Sequence, residues 1–286
     1  MSDILLRDLL TLEPLESNYF RGQSWDLGFP ALFGGQVMAQ ALAAAQNTVE
    51  TELSIHSMHC LFLLPGDASH PVFYQVERIR NGRSFSARTV TAVQHGRVIF
   101  TCNASFQVTE QGLEHQSNTM PDVPAPDELV PDIQYFEDKL ANMASSFKEQ
   151  LNYHRPIDIR TVQTIDPLNP VPTEAKRYVW MRLTEDQFVS PAFQHVALTY
   201  ASDYHFLITA LQPHGLSVFS RSIKAATIDH GIWFHKPMDF RQWHLYCTDS
   251  PTSGGARGFV RGQYFTEQGE LVASTAQEGL MRPRTR

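Results

Sequence analysis

The sequence predicts an α+β protein in which an antiparallel sheet wraps one long buried helix, and does so twice. Three observations carry this. A nearly uncharged, alanine-rich segment at residues 33–46 is followed by four β-type runs, and the same order returns in the last hundred residues. Both central helix candidates are apolar almost all round, so each must be covered on most sides. Alanines at 39, 41, 43, 44 and 45 also let a sheet approach closely.

The elements follow in order. Residues 1–10 read as a short amphipathic helix, and residues 33–46 as the first central helix. Runs at 53–64, 71–80, 84–94 and 98–107 alternate as strands do and are separated by Pro65-Gly66, Asn81-Gly82 and His95-Gly96. The Asn81-Gly82 pair is a hairpin signal, because both central residues of a type I′ turn need positive φ. Residues 109–176 hold eight of the seventeen prolines, a linker composition. Within it Ile133, Phe136, Leu140, Met143, Phe147 and Leu151 recur at helical spacing. Residues 157–162 start the second half. A strand at 178–183, a second central helix at 193–211 and strands at 227–235, 243–250, 256–266 and 271–279 complete it. The halves overlay: 56–65 on 228–237, 86–88 on 255–257, and 96–107 on 269–280. The organisation is a first domain at 1–112, a linker with one helix at 113–150, and a second domain at 151–286.

Composition narrows the function. With 42% hydrophobic and 19% charged residues the chain is an ordinary globular one, and its net charge of −7 provides no general field for nucleic acid or anionic lipid. The cysteines Cys60, Cys102 and Cys247 are odd in number and widely spaced, which fits reduced strand positions in a cytosol-like compartment. Aspartates interrupt the apolar start, so it reads as no secretory signal, and Arg282–Arg286 is no peroxisomal tripeptide. Residues 27–49 lack charge, but their glutamines and the Gly34-Gly35 pair favour a helix buried in protein over a membrane span. No membrane and no nucleic-acid partner is expected.

The familiar catalytic motifs are absent. Gly22-Gln-Ser24 and Gly82-Arg-Ser84 both lack the second glycine of a nucleophile elbow, and Gly254-Gly-Ala-Arg-Gly258 has the wrong spacing for a phosphate loop. His56 and His59 are three apart in a strand and so face opposite ways, which argues against a metal pair; His230 and His235 are read likewise. No metal and no cofactor is expected. Asp203 stands out, because it falls inside the second apolar helix and no lysine or arginine occurs from 183 to 220. A carboxylate there is costly unless hydrogen-bonded, and the alternative is that it faces solvent or caps a helix. Thr227 and Gln277 sharpen the first reading. By the overlay, Asp203, Thr227 and Gln277 stand where the first half has Gly34, Ile55 and Ala104. A duplicated fold that keeps one polar site and fills the other with apolar residues would look like this.

Several runs resemble the acyl-CoA thioesterase II family. They are Phe33-Gly-Gly-Gln36, Gly82-Arg-Ser-Phe-Ser-Ala-Arg88, Tyr200-Ala-Ser-Asp203, Ala226-Thr-Ile-Asp-His230 with Trp233-Phe-His235, Ala256-Arg-Gly-Phe259 and Ala273-Ser-Thr-Ala-Gln-Glu-Gly279. Met120-Pro-Asp-Val-Pro-Ala-Pro126 and Leu211-Gln-Pro-His-Gly215 belong to the same set. The resemblance runs through essentially the whole chain in order. It implies a double hot-dog fold, hydrolysis of fatty acyl-CoA to acid and CoA, a homo-oligomer (a tetramer), and an Asp/Thr/Gln catalytic set on Asp203, Thr227 and Gln277. A cytoplasmic, bacterial-type enzyme is expected.

The residues support direct attack by water, since no nucleophilic serine or cysteine presents itself. Asp203 is the general base, held with the water by Thr227 and Gln277, each both donor and acceptor. Backbone N–H groups of Gly34 and Gly35 at the helix start are candidates for meeting the substrate oxyanion; the competing account is that glycine is needed where helix meets sheet. For the CoA phosphates, Arg78, Arg80 and Arg83 flank the first hairpin, Arg88 lies in the next strand, and Arg257 and Arg261 hold the equivalent place; solvated strand ends account equally for most of them. Of these, Arg88 and Arg257 are taken as substrate contacts. Two rivals remain: an acyl-CoA hydratase on the same fold, using Asp203 with His205, and an acyl-CoA-binding module without turnover.

Overall fold

The computed structural model describes residues 5–27, 31–135, 156–184 and 190–284. In the first half α1 (Leu6–Leu10), β1 (Glu13–Glu16) and β2 (Tyr19–Gly22) precede the central helix α2 (Gly34–Gln46). Then come β3 (Leu53–Phe62), β4 (Val72–Asn81), β5 (Phe85–Gln94) and β6 (Arg97–Val108). The second half has β7 (Ile157–Thr161), β8 (Lys176–Leu183), α3 (Pro191–Ala201), α4 (Phe206–Leu211), β9 (Ile223–Thr227), β10 (Asp229–Phe234), β11 (His244–Gly254), β12 (Arg257–Thr266) and β13 (Leu271–Pro283). The amphipathic helix expected across 133–151 falls mostly on residues outside the described set.

The two sheets join edge to edge through an antiparallel ladder between β3 and β10. The order β1-β2-β4-β5-β6-β3-β10-β13-β12-β11-β8-β7 is therefore continuous, with β9 pairing β13. Read outward from that seam, the halves run β3-β6-β5-β4-β2 and β10-β13-β12-β11-β8. At the seam His59 lies opposite Gly231, and these two are equivalents in the sequence overlay. Equivalent residues facing each other place a pseudo-two-fold axis through the pair.

Helix α2 buries ten of its thirteen residues, as its apolar circumference requires. Its two inner glutamines are hydrogen-bonded. Gln40 Nε2 donates to Leu9 O and Gln23 O while its Oε1 accepts from the Tyr74 hydroxyl, and Gln36 joins Gln23 O and Trp25 N. The linker residues lie against the second half: Gln116 bonds Gly269 O and the Leu271 N–H, and Trp180 Nε1 donates to Pro124 O. Among the described residues no helix is long and apolar enough to cross a membrane.

Three local expectations need correction. The second central helix is broken: α3 ends at Ala201 and α4 starts at Phe206, so Asp203 lies in the break. His205 there adopts φ 63°, which an α-helix cannot carry. The β-run expected at 227–235 is likewise split after Thr227 into β9 and β10. Finally, neither Asn81 nor Gly82 has positive φ. Consecutive left-handed pairs fall instead at His95-Gly96 (φ 49° and 70°) and Gly255-Ala256 (φ 55° and 62°), while Asn81 uses its side-chain oxygen to hold Arg88.

Candidate functional site

Asp203 sits where four elements meet. The helix break frees its side chain from the helical surface, and the N-terminus of α2, from the other half, abuts it. Asp203 Oδ2 accepts the Gly35 N–H at 2.9 Å, a carboxylate placed at the positive end of a helix. Its Oδ1 accepts from Thr227 Oγ1 and from Gln277 Nε2, both at 3.3 Å. Gln277 Nε2 also donates to Thr227 Oγ1 at 2.8 Å.

Strand pairing explains the convergence. Thr227 lies opposite Gly279, so Gln277 is its diagonal neighbour on the same face. Alternation along β13 buries Thr275, Gln277 and Gly279 and turns Glu278 outward. Among the described residues no cation partners the carboxylate. Burial dominates its electrostatics and raises the pKa from 3.8 to about 6, against the pull of the Gly35, Gln277 and Thr227 donors. The residue nonetheless keeps a part-exposed edge. This combination is a carboxylate still ionised at neutral pH but poised to take a proton.

The structure adds one residue that sequence reading set aside. His230, only 1% exposed, has Nδ1 3.3 Å from Gln277 Oε1 and Nε2 3.1 Å from Ser202 Oγ. Its motif, Ala226-Thr-Ile-Asp-His230, was visible, but its link to Gln277 crosses 47 residues and no spacing rule reports it.

The other predicted contacts divide. Gly34 and Gly35 do reach the second half's site, but as carboxylate-facing residues. The Gly35 N–H is engaged by Asp203 Oδ2. A Cβ at Gly34 would stand 2.7 Å from Asp203 Oδ2 and 3.0 Å from the Phe62 ring, and one at Gly35 would collide with the Tyr200 carbonyl. Close approach is why both are glycine. Arg88 spends its guanidinium on the fold itself. It is 2% exposed, and all five of its N–H groups are taken, by Thr48 Oγ1, Thr48 O, Arg80 O, Ala87 O and Asn81 Oδ1. Arg257 is half-exposed and pairs with Glu278 on the face opposite Gln277.

His205 turns away from Asp203's role. Arg177 Nε donates to its Nδ1 at 3.2 Å, and its Nε2 lies 3.7 Å from Asp132 Oδ2. His56 binds Ser105 Oγ, and His59 packs its ring on Trp233. One grouping with metal-type donors exists among the described residues, Asp67 with His70 and His95. Its hydrogen bonds fasten the loop before β4 to the β5–β6 turn, and it shares no residue with the Asp203 site.

The duplicated sheet-and-helix fold, with Asp203, Thr227 and Gln277 brought together in its second half, defines a double hot-dog protein with a carboxylate-centred site. The particular family follows from comparison: the chain belongs to the acyl-CoA thioesterases. The family model "Acyl-CoA thioesterase" matches residues 147–280, and "Acyl-CoA thioesterase N-terminal domain" matches 22–107. Acyl-CoA thioesterase 2 of Haemophilus influenzae is 43% identical over 284 residues, covering 99% of both chains. The crystal structure of an acyl-CoA thioesterase II, TesB2, from Mycobacterium marinum superposes with a TM-score of 0.80 at 37% identity, over 98% of this chain and 99% of that one. A hot dog fold protein from Alicyclobacillus acidocaldarius shares the fold at TM-score 0.78 and 21% identity, over 98% of each chain.

Proposed function

We propose that the chain hydrolyses fatty acyl-CoA thioesters to the free acid and CoA by direct attack of water, with Asp203 as general base. The observation that carries this reading is a carboxylate ringed by neutral donors from three separate elements, with burial holding its pKa near the operating range. Asp203 removes a proton from water as the water oxygen bonds the thioester carbonyl carbon. The tetrahedral oxyanion then collapses, the C–S bond breaks, and the carboxyl proton passes to the departing sulfur. Thr227 and Gln277 hold the carboxylate and the attacking water together. A positioned base of this kind contributes about 10²–10⁴-fold in rate.

Arg257 keeps exposed guanidinium surface and is the remaining arginine of the pair proposed to meet the CoA phosphates. The same reading, extended by family resemblance, takes the protein as a cytoplasmic homo-oligomer, a tetramer. The hydratase alternative needs His205 beside the reacting carbons, and the engagement of both its nitrogens with Arg177 and Asp132 speaks against it.

The test is thiol release from palmitoyl-CoA by the purified protein and by Asp203→Asn. Release that the substitution reduces at least about 100-fold supports the proposal. Hydration of an enoyl-CoA without thiol release, or tight binding without turnover, overturns it.

A further inference from the structure

Gln277 can serve an ionised Asp203 in only one of its two amide orientations. With Nε2 inward it gives one hydrogen to Asp203 Oδ1 and one to Thr227 Oγ1. Turned over, it sets a carbonyl oxygen against a carboxylate oxygen at the same 3.3 Å separation. What meets the other end of the amide therefore decides the matter, and that is His230 Nδ1, 3.3 Å from Oε1.

Burial depresses the His230 pKa to about 4, so at neutral pH the ring carries a single N–H. Its second nitrogen lies 3.1 Å from Ser202 Oγ, and that hydroxyl is also 2.9 Å from Thr199 O. Two proton arrangements satisfy the row. In one, Ser202 donates to His230 Nε2, His230 Nδ1–H donates to Gln277 Oε1, and Gln277 donates to the Asp203 carboxylate. In the other, Ser202 donates to Thr199 O, His230 Nε2–H donates to Ser202, Gln277 donates to His230 Nδ1, and a protonated Asp203 donates to Gln277 Oε1. The first suits Asp203 before it takes the proton, and the second suits it afterwards.

We propose that His230, backed by Ser202, is a positioning residue whose tautomer selects the face of the Gln277 amide presented to Asp203. The inference rests on Asp203 being the base, as argued above. Only an imidazole or a like two-ended group can do this, because the site asks for contacts at both ends, to Ser202 and to Gln277. Other titratable groups near this row are Cys60 of β3, which lies opposite His230, its pair Cys102 of β6 and Tyr246 of β11, while Asp229, next to His230 in β10, points to the other face. Burial pushes the Cys60 thiol and the Tyr246 phenol well up, so both stay neutral. Asp229 accepts the Glu278 N–H.

The experiment is the pH profile of acyl-CoA hydrolysis for His230→Phe, His230→Asn and Ser202→Ala, with Asp203→Asn alongside. His230→Phe loses the donor to Oε1. It is expected to lower kcat about tenfold or more with KM within about twofold, and to move the acidic limb of kcat/KM up from about 6 by about half a pH unit. His230→Asn, which restores an amide N–H near the Nδ1 position, recovers most of kcat. Ser202→Ala moves the limb the same way by less. A folded His230→Phe with wild-type kcat and an unmoved limb overturns the inference, as does equal loss in His230→Phe and His230→Asn with the limb unmoved. Should His230→Phe fail to fold, an unmoved limb in Ser202→Ala decides against it. If Asp203→Asn retains turnover, the base assignment itself fails. If Asp203→Asn is inactive while the His230 and Ser202 variants behave as wild type, only the positioning role fails.

Discussion

Substituting Gly34 by alanine tests how the α2 terminus serves the site. The added methyl would lie 2.7 Å from Asp203 Oδ2, and ordinary contact begins near 3.4 Å, so the carboxylate must withdraw by about 0.7 Å or the helix start must shift as far. The Phe62 ring at 3.0 Å closes one escape route. A 1 Å misplacement of reacting groups costs about 10²-fold, so a loss of about tenfold or more in kcat is expected. Global stability should change little, because alanine is favoured over glycine in helices by about 1 kcal/mol and offsets the crowding. Steady-state thiol release with palmitoyl-CoA, read beside a thermal melt, separates the two effects. Wild-type kcat in a folded Gly34→Ala protein would refute the idea that the α2 N-terminus fixes the position of the carboxylate.

The remaining predictions address charge and contact. Because burial raises Asp203 from 3.8 to about 6, the folded state holds that proton more tightly than the unfolded chain. The resulting penalty is absent below about pH 4 and complete above about pH 6. Asp203→Asn should therefore be more stable than wild type at pH 8 by up to about 3 kcal/mol, with the difference gone at pH 4; urea unfolding at both pH values checks this, and equal stability at pH 8 counts against it. Arg88→Met should lower stability by about 3 kcal/mol or more, because five acceptor groups lose a donor, while KM for acyl-CoA stays unchanged. A raised KM with normal stability would return Arg88 to the substrate. Arg257→Ala should raise KM several-fold for acyl-CoA but not for the corresponding acyl-pantetheine thioester, which lacks the nucleotide phosphates; an equal KM for both variants with acyl-CoA removes Arg257 from the binding site.

Much of the architecture was legible because it is written in short-range patterns. The overlay already placed Gln277 in the last β-run where the first half has Ala104, and the uncharged run at 33–46 already required a covered helix. The duplication could be read by overlaying equivalent motifs, and the Asp203/Thr227/Gln277 contrast with Gly34/Ile55/Ala104 marked one half as polar. The helix break was not legible in the same way. The apolar pattern of residues 193–211 stays continuous through it, and what interrupts the helix is the backbone at 202–205, including a left-handed histidine. The Asn81-Gly82 turn misled for a related reason. Its residues satisfy the local rule, yet the Asn81 side chain is held by Arg88 and the left-handed pairs fall at His95-Gly96 and Gly255-Ala256.

From the order of residues alone came the duplicated α+β plan, the buried first helix with its covered surface, and a carboxylate left among neutral company. Those depend on period, composition and local cost, which act between neighbours along the chain. Only the tertiary structure decided that the Gly35 N–H grips Asp203, that Arg88 ties strands together, and that His230 stands behind Gln277. These are contacts across 168, 40 and 47 residues. A hydrogen bond reads the distance between two atoms, and that distance is set by how the sheets close on the helices.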